Sequence, residues 1–303
     1  MLEIRNLTKS YGSIEALNGI SLSVPEGKIT IISGADGSGK STLFKLILGL
    51  EPLDGGEIRF MGDDIGKDYS IITRICGYMP EKFSLYPDLS VEENLNFFSD
   101  IRGVPKKRRE ELKQRLLENT GMAKFKKRRA NALSGGMKQK LALATILLSS
   151  PQIIILDEPT TGVDPLSRIE FFNIIESLKD EGKTILISTP YLDEAEKGDY
   201  IFFIKNGTRI QSGYIDALKR DIPFRLFTLT PDGNIFDIVA KLKQDPRYRD
   251  RVFIKGQFIK FIGEQSMQRD QLTSIPSKTI REEKPSLEDI YLYYEKIFGK
   301  EEK

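Results

Sequence analysis

Histidine and tryptophan are absent from the 303 residues, and cysteine occurs once, at Cys76. Without histidine there is no imidazole acid–base chemistry and no His-ligated metal. A single cysteine excludes an internal disulfide framework. Its surroundings, Ile75-Cys76-Gly77-Tyr78-Met79, read as a strand in which Cys76 is a small buried hydrophobe. Long apolar runs are also missing: segments such as Leu141–Leu148 fall far short of the roughly 18 residues that a membrane span needs. No strong charge imbalance exists either, with 46 basic residues against 44 acidic ones. Composition therefore gives no electrostatic argument for nucleic acid or an acidic membrane as partner. The opening MLEIRNLTKSYG alternates like a strand and has no basic stretch followed by an apolar core, so no secretory signal is expected. A protein soluble by itself follows as the expectation.

What is present is an alternation of buried-strand and helix patterns. Lys28-Ile-Thr-Ile-Ile-Ser33 is a short apolar run, followed by Gly34–Gly39 and then Leu43, Leu46, Ile47 and Leu50 at helical spacing. Residues 1–75 read as strands and turns around that one helix, and residues 80–150 as mainly helical. Ser90 with Glu93 predicts a capping box opening a helix through Phe98, and a charged helix follows over 106–119. Ile153–Leu156 and Thr184–Ile187 are buried-strand runs flanking a helix that opens at Asp164-Pro165 and stops near Gly182. This order implies a mostly parallel sheet.

A second unit is expected from about 220. Phe224–Leu229 has a strand pattern. Val252–Lys255, Gly256-Gln257 and Phe258–Ile262 predict a hairpin with a two-residue turn. Ser286 starts a last helix with Leu287, Ile290, Tyr291, Tyr294, Ile297 and Phe298 on one stripe, ending at Gly299.

Gly34, Ala35, Asp36, Gly37, Ser38, Gly39, Lys40, Ser41 and Thr42 fit a phosphate loop between strand and helix. The glycines let backbone N–H groups turn inward around phosphates, Lys40 reaches the β and γ oxygens, and Ser41 ligates Mg²⁺. Its four fixed positions would match by chance in roughly one chain of this length in a hundred, and the strand–helix setting strengthens the match. Asp157-Glu158 ends an apolar run, where a buried carboxylate is costly unless it meets a cation. Beside the loop, Asp157 would hold Mg²⁺ through water or Ser41, and Glu158 would orient or deprotonate the attacking water. Ser134, Gly135 and Gly136 open a helix whose first N–H groups suit an anion, although any Ser/Gly helix start looks the same.

Taken together, these residues resemble the ATP-binding subunits of ABC transporters over 1–219. The resemblance implies an α/β phosphate-loop NTPase (ABC ATPase) with a helical signature subdomain at about 80–150 and a small α+β C-terminal domain over 220–303. It implies that Tyr11 stacks on adenine and that Leu133–Met137 is the signature motif. Asp164 would belong to the loop crossing to a second ATPase chain, and each ATP would lie between one chain's phosphate loop and the other's signature. The cofactors implied are ATP and Mg²⁺. The segments Gly77–Leu95, Leu133–Lys140 and Tyr191–Glu196 are similar to bacterial multidrug- and antibiotic-export ATPases that serve type-2 permeases. That branch implies an integral membrane permease as partner, a place on the cytoplasmic face of the membrane, and no nucleic acid.

The chain departs from the family twice. Glu81 stands where a Gln normally contacts Mg²⁺, and Pro190 where a His normally reaches the γ-phosphate. Proline offers neither a side-chain donor nor an N–H. Such a site implies slow turnover, within an asymmetric pair of unlike ATPase chains or, with Glu158 retained, in a homodimer. The rival reading is a soluble ABC protein acting on ribosomes or DNA, which usually carries two ATP domains in one chain or a long coiled coil. Two basic runs, Lys106–Arg109 and Lys124–Arg129, are expected on solvated helix faces, the first paired with Glu110 and Glu111.

Overall fold

The computed structural model describes residues 2–66, 68–82 and 85–298. Contacts divide the chain into two compact units, Met1–Arg209 and Ile210–Lys303.

A six-stranded sheet organises the first unit, and the division between units falls within its edge strand Thr208–Tyr214. The order runs from that strand through Tyr200–Lys205, Ile29–Ser33, Thr184–Thr189 and Ile153–Asp157 to Cys76–Met79. Strand Ile29–Ser33 pairs in parallel with both of its neighbours, as does Ile153–Asp157 with both of its own. The three central strands are buried at every position, as continuous apolar runs covered on both faces must be. Because they run parallel, Ser33 lies opposite Thr189 and Asp157 opposite Ser188. The polar residues that end these strands therefore share one edge of the sheet.

An antiparallel sheet of Ile14–Val24, Leu2–Tyr11, Gly55–Phe60 and Asp63–Asp64 contributes to the same core. There Leu7, Ile20 and Ile58 join Phe44 and Leu46 of helix Lys40–Ile47 and Ile155 and Leu186 of the parallel strands. Cys76 is buried in this core, and burial pushes its thiol up to about 12. The stretch before it also forms a helix, Ser70–Ile75, which the pattern over 1–75 did not reveal. Only Ile72 of its six residues is fully buried, so the apolar periodicity is too weak to read.

The helical segment carries Val91–Ile101, Lys106–Asn119 and Gly135–Leu147. Ser90 and Glu93 form the expected capping box. The basic runs differ from expectation in their partners. Arg109 pairs with Asp100 at 2.6 Å, and Glu110 pairs with Lys113 at 2.7 Å, one turn along the helix. The run Lys124–Arg129 does not lie on an α-helix: it begins within a short turn, Ala123–Phe125, and continues past it, with Arg128 over the Phe125 ring.

The second unit has its own antiparallel sheet, ordered Val252–Lys255, Phe258–Glu264, Phe224–Pro231 and Ser277–Glu283. Lys255 faces Phe258 across the Gly256-Gln257 turn, with Gly256 at φ 59°, as the hairpin pattern requires. Phe227, Leu229, Phe261, Leu272 and Ile280 form a core with Ile238 and Val239 of helix Ile235–Gln244. Ser286 caps the last helix, but after Leu287–Tyr293 the backbone widens into a π-turn over Tyr294–Phe298. The expected stop at Gly299 lies outside the described residues.

Candidate functional site

The loop between strand Ile29–Ser33 and helix Lys40–Ile47 needs its glycines for two reasons. Gly37 and Gly39 have φ of 75° and 109°, a region closed to most side chains. Gly34 leaves no room for a Cβ, which would meet the Ile204 carbonyl oxygen at 2.1 Å. Lys40 opens the helix, so the N–H groups of Lys40, Ser41 and Thr42 have no intrahelical acceptor. Its side chain is buried, and Nζ donates to the carbonyls of Gly34 and Ala35 at 2.9 and 3.1 Å. Glu158 Oε1 lies 3.2 Å from the same Nζ. Ser38 is also buried, and its hydroxyl has no hydrogen-bond partner among the described residues.

An open groove of about 630 Å³ lies over this loop. Asp36, Gly37, Gly39, Lys40, Ser41 and Thr42 line it, as do Glu81 and Glu158. Opposite partners from sequence positions that the motif reading passed over also contribute: Ile14, Glu15 and Ala16, with Thr161 and Asn206. Tyr11 is exposed and pairs with Ile14 across the first hairpin, but is not itself among the lining residues.

Asp157 ends the next strand but one and Glu158 follows it, but the two differ in setting. Asp157 is 2% exposed and accepts from the Ser188 hydroxyl at 2.5 Å. Glu158 turns into the groove on a φ of 48°, unusual for a non-glycine residue. Its N–H is held by the Ser188 hydroxyl at 2.9 Å, and its Oε2 accepts from Thr161 Oγ1 at 3.3 Å. Ser41, Glu81 and Asp157 offer hydroxyl and carboxylate oxygens, the donor type that Mg²⁺ prefers. Among the described residues no ready-made cluster of three metal-binding side chains exists. On the strand beside them, Tyr78 is half-buried, and burial with the nearby Asp157 and Glu81 charges pushes its phenol up.

The remaining predicted residues sit elsewhere. Ser134 caps helix Gly135–Leu147, its hydroxyl accepting from Met137 N, which leaves the N–H groups of Gly135 and Gly136 without intrahelical acceptors. Gly136 has a further role that the motif concealed: a Cβ there would meet Ser167 at 2.4 Å, so the two helix starts are in contact. Asp164 caps the second of these, Pro165–Asp180, and its hydrogen bonds from Ser167 hold the carboxyl below the usual carboxylate range. None of Ser134, Gly135, Gly136 or Asp164 lines the Lys40 groove.

A strand, a glycine loop and a helix around a buried lysine, with an acid at the tip of the next strand but one, define a phosphate-loop nucleotide site. Comparison with known proteins carries this further. Residues 17–161 match the family described as ABC transporter. The chain is 36% identical over 299 residues to the probable multidrug ABC transporter ATP-binding protein YbhF of Escherichia coli K12, covering 96% of this chain and 51% of that one. It thus spans about half of that relative's length. It is 30% identical over 294 residues to the Nod factor export ATP-binding protein I of Rhizobium sp. N33, covering 96% and 95% of the two chains. Among solved structures, the dimeric post-hydrolysis state of the ATP-binding cassette MJ0796 bound to ADP and Pi superposes with a TM-score of 0.63. It has 28% identity and covers 71% of this chain and 99% of that one. The chain belongs to the ABC transporter ATP-binding family.

Proposed function

We propose that this chain binds and hydrolyses MgATP on the loop Gly34–Thr42, as the ATP-binding subunit of an export system. Lys40 and the free N–H groups of the helix start hold the phosphates, and Ile14–Ala16 border the nucleoside end near Tyr11. Ser41, Asp157 and Glu81 hold Mg²⁺, which shields the phosphate charge when bound. Glu158 orients the attacking water and takes its proton. The observation that carries the reading is an incompleteness: the groove holds phosphate-binding and acidic groups, but the anion-ready start Ser134–Gly136 lines no part of it. A second ATPase chain, identical or not, supplies its own signature helix to this groove and closes on ATP. Hydrolysis reopens the pair and drives an integral membrane permease, with drugs as the cargo class. No helix among the described residues is long and apolar enough to cross a membrane. Docking on the permease would therefore place this chain on the inner membrane face.

Light scattering of the Glu158→Gln chain tests this reading. MgATP should convert it to a dimer, and a further Lys40→Ala change should prevent that. A monomer at saturating ATP sinks the paired site. Copurification of an integral membrane protein supports export, whereas rRNA or DNA supports the soluble rival.

Pro190 and Glu81 favour a more specific version, in which this site turns over slowly beside a faster one on an unlike partner. Losing one donor to the transferring phosphate would slow hydrolysis by about 10²–10³-fold.

A further inference from the structure

The segment Tyr191–Glu196 contains a charged side chain that the site just described does not use. Glu194, on the four-residue helix Leu192–Ala195, is 1% exposed. Its Oε1 accepts from Thr160 Oγ1 at 2.5 Å, and its Oε2 accepts from Thr189 Oγ1 at 2.6 Å. Arg168 Nε lies 3.1 Å from Oε1, an ion pair too bent to count as a hydrogen bond. The Arg168 guanidinium also covers the Tyr191 ring at 4.8 Å, and Tyr191 N donates to Thr189 Oγ1 at 3.1 Å. One buried carboxylate thus gathers hydroxyls from the turn after Glu158 and from the strand end before Pro190, with a cation from helix Pro165–Asp180.

These contacts form the second of two rungs between the same segments. Ser188 makes the first, binding Asp157 Oδ1 and the Glu158 N–H through its hydroxyl. Between the rungs lies Glu158, whose left-handed backbone is tolerated only where its surroundings over-determine it. A buried ionised group is a poor source of stability, because an apolar side chain of the same size packs as well without the desolvation penalty. Geometry is what such a group supplies: two acceptor oxygens at a fixed separation hold two hydroxyls at fixed positions.

Resting on the proposed ATPase reading, we propose that Glu194 is a positioning residue for Glu158. Its carboxylate locks the turn Glu158–Thr161 to the segment Thr189–Tyr191. Glu158 then points at the groove beside Lys40 with ATP absent as well as bound. With proline at 190, that position has no side-chain donor to aim at the groove, and here the segment braces the acid.

The test compares Glu194→Gln with Thr160→Val and Thr189→Val, each in the full chain. Glutamine keeps the shape but can accept from only one hydroxyl, and each valine removes one rung contact. MgATP affinity should stay within about twofold, since no changed residue lines the groove. Single-turnover hydrolysis should fall roughly 10- to 100-fold. Thr160→Val added to Glu194→Gln should cost less than it costs alone, the sign of one shared contact. Independently of activity, amide hydrogen exchange should quicken in Glu158–Thr161 and Thr189–Tyr191 of Glu194→Gln while the melting temperature of the unit moves little. An unchanged hydrolysis rate in an ATP-binding variant, or unchanged exchange across Glu158–Thr161, overturns the proposal. Failure of the unmodified chain to bind MgATP defeats the ATPase reading itself. Loss of hydrolysis in Glu158→Gln but not in Glu194→Gln defeats only the positioning role.

Discussion

Lys40 in the first unit and Lys260 in the second are both almost withdrawn from water, at 4% and 9% exposed, and they differ in what meets their charge. Lys260 lies in an antiparallel sheet, opposite Thr228, and its ammonium binds the Glu283 carboxylate on the far strand. That bond holds the Glu283 carboxyl below the usual range, so the pair is stabilising at neutral pH and is lost as acid protonates Glu283. Lys40 has two neutral carbonyls and one carboxylate, Glu158, on the wall of an open groove. The difference follows from sheet direction. Antiparallel neighbours bring opposite charges together along their length, and Arg225 with Glu282 repeats the arrangement. Parallel strands bring their ends together at one edge, where a loop amide, a lysine and an acid collect on the wall of an open groove. The first arrangement stores charge, whereas the second offers it to a ligand.

Removing the offered charge should have the largest effect. Lys40→Ala is expected to weaken MgATP binding by at least about a hundredfold, read by calorimetric titration, with the circular dichroism spectrum retained. Next, Glu158→Gln should keep ATP bound but slow single-turnover hydrolysis by about 10²–10⁴-fold. Undisturbed turnover there would remove the acid from the chemistry. In the other direction, Glu81→Gln with Pro190→His should raise turnover at least about tenfold, equal to about 1.4 kcal/mol of barrier. Robust turnover by the unmodified chain would show that the two departures are compensated. The stored charge should matter least to the nucleotide. Lys260→Met is expected to change ATP affinity by less than about twofold, and a shift beyond that would break the contrast between the lysines. No effect at all is expected at Cys76 with a thiol reagent at pH 8. Its thiol, pushed up to about 12 by burial, stays neutral until the unit unfolds.

Much of the first unit was legible because its signals are local. The apolar run 29–33, the glycine loop and the helical spacing from Leu43 lie within a single stretch, and backbone sterics alone restrict what they can form. Ser90 with Glu93, and Asp164 with Pro165, carried their helix starts just as locally. Of the candidate site, the sequence made legible which stretch would border a groove, since Lys40 and Ser41 of the glycine loop both line it. What stayed hidden depends on tertiary contact. The bond from Ser188 to Asp157 joins strands far apart in the chain, and nothing in Ser188 announces it. Glu194 reads in sequence as one more surface acid in a charged run, whereas the fold buries it against two threonines. Arg109 looks paired with the next residue and is paired instead with Asp100 on the preceding helix. The π-turn at Tyr294 carries no proline or glycine to mark it, and the apolar stripe runs through it unbroken.

Strand Thr184–Thr189 lies between the strand that ends at Ser33 and the one that ends at Asp157. The strands that lead to the loop and to the acid are therefore not adjacent, and the last strand of the three to be synthesised is the one that joins them. During translation, the growing chain has its complete phosphate loop early, yet it cannot set Glu158 beside Lys40 until residue 189 has left the ribosome. Pairings over such sequence separations are slow to form. The buried lysine and the acid on its groove thus come together only when nearly the whole of the first unit has been made.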